Sequence, residues 1–197
     1  LWYSAGNINY YYGGQYYAVF LTKLSFTRIQ ETYHLMRTLV AGFAFALPFS
    51  LAFHMIKGIP GRAKAVPGWI ASLCGLLAGA SVSLAGNMHY VLYGLFGSVF
   101  KLSGYEEYWF PDSTRYIGHN PLNDDQCIHE FPSYSFVLGD LHAHVVNVMY
   151  VLLMIGILYA WMKRVREREG TEQGFRLKRI LLEPPVIAVG ILTGIFQ

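Results

Sequence analysis

Apolar residues in this chain are gathered into long blocks rather than spaced at the period of an amphipathic helix or strand. A bilayer core about 30 Å thick takes roughly 20 apolar residues as α-helix. Residues 35–56 meet that length, interrupted only by Arg37 at the edge and by Pro48 and His54. Residues 69–100 contain no Asp, Glu, Lys or Arg but are too long for one span. The step Gly86-Asn87-Met88-His89 is expected to end that helix, and 90–102 to form an interfacial helix rich in aromatics and glycine. A third span is predicted over 145–162, and a fourth opens at 185–197. The apolar stretch 16–24 is too short to cross; with its aromatic neighbours it suits a helix lying among lipid headgroups.

The polar links between blocks set the orientation. Lys57, Arg62 and Lys64 fill the first link, and Lys163, Arg164, Arg166, Arg168, Arg176, Lys178 and Arg179 fill the link after the third span. Two spans separate these links, so both lie on one face, and the positive-inside rule makes that face cytoplasmic. The expected division is an extracytoplasmic loop end with an interfacial helix (1–33), a transmembrane helix (34–57), a cytoplasmic loop (58–67) and a second transmembrane helix (68–88). An extracytoplasmic loop (89–143), a third transmembrane helix (144–162), a basic cytoplasmic loop (163–180) and the start of a further span (181–197) follow. The predicted class is an all-α integral membrane protein, a polytopic helix bundle passing several times through the cell membrane.

Composition agrees. Of the 197 residues 54% are hydrophobic and 14% charged, against roughly 45–50% and about 25% in soluble domains. The net charge of +3 does not argue for nucleic acid, because the basic residues cluster beside apolar blocks. Cys74 lies in an apolar block and Cys127 in a polar loop, at different expected depths, so no disulfide joins them. The chain starts without Met or signal-peptide features, and its last apolar stretch is still running at Gln197; a fragment of a larger protein is expected.

The long outer loop is where chemistry concentrates, with Asp112, Arg115, His119, Asp124, Asp125, His129, Glu130, Asp140, His142 and His144 all between two spans. Ionisable groups returning to membrane depth are costly unless they are paired, hydrated or functional. Asp140, His142 and His144 alternate, so an extended segment would put all three on one side and a helix would align Asp140 with His144. Either arrangement offers oxygen and nitrogen donors for a divalent cation such as Mg or Mn. The plainer reading is that Asp140 caps a helix starting near Leu141. Glu130 is a second candidate acid or base, against the alternative of a solvated loop carboxylate, while Asp124 and Asp125 beside Asn123 look like a turn. Asn9, Tyr10, Tyr11 and Tyr12 form either a substrate wall or an interfacial tyrosine belt. Arg115 can clamp a phosphate or pair with Asp112; Arg37 can meet a lipid phosphate or snorkel to the interface.

Two motifs, Ile8-Asn9-Tyr10-Tyr11-Tyr12-Gly13-Gly14 and the pair Glu130-Phe131-Pro132 with Phe136-Val137-Leu138-Gly139-Asp140-Leu141-His142-Ala143-His144, resemble the "YYY" family of large membrane proteins, a domain of unknown function. The resemblance spans essentially the whole chain. That family is similar in topology to GT-C glycosyltransferases, which move a sugar from a polyprenyl-phosphate donor outside the cytoplasmic membrane. The resemblance implies a GT-C-like fold with an extracytoplasmic active face. It casts Asp140 and Glu130 as catalytic acids and Asp140, His142 and His144 as metal ligands. Asn9, Tyr10, Tyr11, Tyr12 and Arg115 become substrate contacts, with a polyprenyl-phosphate-linked sugar and the bilayer as partners. A first-loop acid is then expected upstream of Leu1, and an Asn-x-Trp-Asp segment beyond Gln197. A transporter is disfavoured, since few ionisable residues fall inside the spans; a non-catalytic membrane protein would tolerate substitutions over 129–144.

Overall fold

The computed structural model describes residue 6 and residues 12–58, 66–86, 95–100, 111, 114–115, 118–119, 122–169 and 182–195. Among these residues the structure is helical, without strands; an isolated bridge joins His119 and Leu122. In chain order the helices are α1 (Gly13–Ser25), α2 (Ile29–Lys57), α3 (Gly68–Ser83), the single turn α4 (Gly97–Phe100), α5 (Pro132–Leu138), α6 (Ala143–Glu169) and α7 (Pro184–Ile195).

α2 and the Ala143–Arg166 part of α6 are long and apolar enough to cross a membrane. Only 17% of the most apolar window of each is buried inside the protein. A core helix of a soluble protein would hide most of that surface, so the exposed Leu35, Leu39 and Phe43 of α2 and Leu153 and Ile155 of α6 fit hydrocarbon surroundings. α2 starts at Ile29, earlier than the apolar block, because Gln30, Glu31 and Thr32 are helix-competent though polar, and Glu31 in the first turn suits the helix dipole. α6 runs on to Glu169 for the same reason, through Lys163, Arg164 and Arg166. α3, at 16 residues, ends at Ser83 before the expected 88. α1 has 13 residues, about 20 Å of helix, too short to span a core of about 30 Å.

Close packing of α2 on α3 rests on small residues. Ala71, Gly75, Gly79 and Ser83 recur every fourth position and are buried. A methyl group on Gly75 would stand 2.8 Å from the Phe49 ring, and one on Gly79 2.8 Å from the Phe45 carbonyl. Missing side chains thus let the backbones approach, as at small-residue contacts between membrane helices. Phe45, Phe49 and Phe53 stack along α2 above this groove. Phe45 facing Gly79 and Phe49 facing Gly75 make the two helices antiparallel, and the Lys57 ammonium closes their link by donating to the Val66 carbonyl (3.1 Å).

α6 runs beside α2 in the same direction. Arg37 near the start of α2 lies on Gly139, just before α6, while further along the Tyr159 hydroxyl donates to the His54 carbonyl (3.1 Å). α7 then returns along α6, with the Trp161 indole donating to Glu183 (2.9 Å) and the Thr193 hydroxyl near Met154 Sδ (3.6 Å). The core binds Met36 and Val40 of α2 to Leu141, Val145, Val146 and Met149 and to Ala18 of α1. One end of the molecule therefore gathers the starts of α2 and α6 with α5; the other gathers Lys57 and Lys163.

Candidate functional site

The site is made by a helix that stops short. Pro132 occupies the first turn of α5, where its missing N–H costs nothing. Gly139 ends the helix with φ 74° and ψ 34°, a left-handed conformation that glycine adopts without penalty. The N–H groups of Gly139 and Asp140 both donate to the Ser135 carbonyl (2.8 and 3.0 Å), so the chain turns sharply and α6 starts anew at Ala143. The His142 carbonyl accepts from the N–H groups of Val145 and Val146. Between the helices Leu141 is 1% exposed and anchored in the core, which turns its neighbours Asp140 and His142 the other way.

Four of the predicted residues meet there. Asp140 Oδ2 lies 2.8 Å from His142 Nδ1, Glu130 Oε2 lies 3.3 Å from His144 Nδ1, and Glu130 Oε1 stands 3.8 Å from His142 Nε2. The two imidazole centroids are 5.6 Å apart. Asp140 spends its carboxylate on the ring of His142, and the helix start it was expected to cap falls later. Side chains of the four are 28% to 44% exposed, open enough for a substrate to reach. Glu130 is delivered by the preceding loop, which is tied back where the His129 N–H donates to the carbonyl of buried Thr114 (2.9 Å). The Asn123 side chain accepts from the Asp125 N–H (3.0 Å), the turn expected there.

Beside this cluster is a cleft of about 340 Å³, walled by His34, Arg37 and Thr38 of α2, by Ser135 and Phe136 of α5, and by Asp140. A side chain at Gly139 would collide with the Arg37 guanidinium, so Arg37 lies directly on that glycine. An Arg37 N–H reaches His34 Nδ1 at 3.2 Å.

All 197 residues match the family described as Uncharacterized membrane protein (DUF2298). The chain belongs to this family. The DUF2298 assignment places it among membrane proteins, in line with the exposed apolar surfaces of α2 and α6, and carries no statement about sugar transfer. No curated protein and no solved structure matches the chain.

Within this DUF2298 chain, the remaining candidates among the described residues are Tyr12 and Arg115. Tyr12 stands at the head of α1, its ring edge-on to Tyr16 at 6.4 Å, whereas Asn9, Tyr10 and Tyr11 lie outside the described residues. Arg115 follows Thr114 in the loop that carries Glu130. Among the described residues no group of three or more His, Cys, Asp or Glu is arranged to hold a metal ion. Of the expected ligands, Asp140 and His142 face each other and His144 faces Glu130. Sequence reading did not foresee the seat of Arg37 on Gly139 or the part of His34 and Ser135; the glycine next to Asp140 was the available signal.

Proposed function

We propose that this chain forms part of the site of a multi-pass membrane glycosyltransferase that takes a sugar from a polyprenyl-phosphate donor at the extracytoplasmic face. The observation that supports it is the joining of Glu130, Asp140, His142 and His144 in one accessible cluster at the head of α6. A carboxylate on Nδ1 holds the His142 ring in place and favours the tautomer whose Nε2 is free to accept a proton. In the transfer the acceptor hydroxyl oxygen bonds to the anomeric carbon while the bond from that carbon to the carrier phosphate breaks. The electron pair leaves on the phosphate, and the hydroxyl proton passes to a basic group. The Asp140–His142 pair is that base. Glu130 and His144 complete the proton-handling set.

Orientation follows from charge. Lys57 and Lys163 gather at the end opposite the cluster, and the positive-inside rule assigns that end to the cytoplasm. The test is Asp140→Asn in the intact gene, reading envelope glycan and glycolipid. Lost product with normal expression is expected; unchanged product contradicts the role. Full tolerance of alanine across 129–144 would instead favour a non-catalytic membrane protein.

A further inference from the structure

We infer that the cleft between α2 and α5 is a binding seat for the phosphate of an anionic lipid, held by Arg37, with His34 orienting it and Ser135 donating to the ligand. The cation is built in rather than left to wander. Its guanidinium lies on the bare backbone of Gly139, where any side chain would displace it, and His34 Nδ1 lies 3.2 Å from one N–H. Four further N–H groups remain on the planar fork that matches a phosphate. Among the described residues no carboxylate stands within ion-pair distance of Arg37; Asp140, which shares the cleft, is engaged by His142.

A second, independent observation points to a ligand. Ser135 is 1% exposed, lines the same cleft, and its hydroxyl has no hydrogen-bond partner. Buried hydroxyls are ordinarily satisfied, so an orphan donor in the wall of a cleft that contains an arginine is a group waiting for an acceptor. A phosphate oxygen is such an acceptor.

The lipid is indicated by what adjoins the cleft. Thr38 lines it and also lines an apolar groove of about 640 Å³ between α1 and α2, walled by Leu21, Leu24, Leu35, Leu39 and Phe43. Gly42 opens into that groove, with nothing within 4 Å of where its Cβ would stand. A charged head on Arg37 and an acyl or polyprenyl chain along the groove meet at Thr38. The seat deepens the proposed transferase reading by giving the carrier phosphate its cation, but it is tested by binding and can stand if transfer fails.

The experiment titrates the purified intact protein, by native mass spectrometry, with phosphatidic acid, with diacylglycerol of the same chains, and with inorganic phosphate. Phosphatidic acid is expected to bind at least about tenfold more tightly than diacylglycerol. Arg37→Gln should remove about tenfold of that affinity, and Ser135→Ala a smaller share. Gly42→Leu, which fills the groove, should weaken phosphatidic acid and leave inorganic phosphate unchanged. Thermal melting checks that each variant is folded; should Arg37→Gln fail it, Ser135→Ala and Gly42→Leu decide. Equal binding of phosphatidic acid and diacylglycerol overturns the proposal, as does an Arg37→Gln variant that binds like the wild type. Inorganic phosphate binding that added phosphatidic acid does not displace, or phosphatidic acid binding that Gly42→Leu does not weaken, overturns the lipid assignment.

Discussion

Glycine does two different jobs in this molecule. On α3, Gly75 and Gly79 leave room for the rings and carbonyls of Phe49 and Phe45, and the result is a dry contact between apolar helices. At the head of α6, Gly139 leaves room for the guanidinium of Arg37, and the result is a charged cleft beside two carboxylates and two imidazoles. The device is the same absent Cβ; the difference lies in what fills it. A seat filled by aromatic carbon serves packing alone, whereas a seat filled by a cation at the polar end of a helix fixes charge where a ligand can meet it.

Substitutions can break that distinction. Gly75→Leu should have the largest effect on stability, about 1–3 kcal/mol of overpacking between α2 and α3. Thermal melting of the detergent-purified protein reads it, with lipid selectivity at Arg37 retained in the folded fraction. Gly139→Ala should cost about 1–2 kcal/mol from its left-handed backbone and should also displace Arg37, so it lowers phosphatidic acid binding where Gly75→Leu does not. If both glycines altered melting and binding in the same proportion, the two regions would not be separable. The smallest effect is expected from chelation. With Asp140 on His142 and Glu130 on His144, glycolipid formation in membranes treated with a chelator should be unchanged; a loss restored by Mn would mean that these pairs open around an ion.

Much of this was legible in the chain. The apolar blocks gave the membrane character, whereas the alternation of Asp140, His142 and His144 left an extended and a helical reading open, and the burial of Leu141 between Asp140 and His142 came from the structure. Helix ends were read less well, since apolarity marks the part that suits lipid while the helix itself continues through Glu31 at one end of α2 and through Arg164 and Arg166 in α6. The small-residue face of α3 follows a four-residue spacing, yet nothing local says that Phe45 and Phe49 will fill it. Least legible was the cleft. Arg37 and Gly139 are far apart in sequence, and their contact depends on α2 and α6 running side by side in the same direction, a fact of packing rather than pattern.

The central claim is that Asp140 and His142 act together in one reaction. Its most direct measurement is a double-mutant cycle on product formation by the intact protein, with Asp140→Asn, His142→Ala and the pair. Groups that work as a unit lose nearly everything at the first removal. Each single variant should therefore fall by about a hundredfold or more, and the double variant should fall hardly further. Losses that multiply, or product formation that survives either substitution at normal expression, would contradict the account.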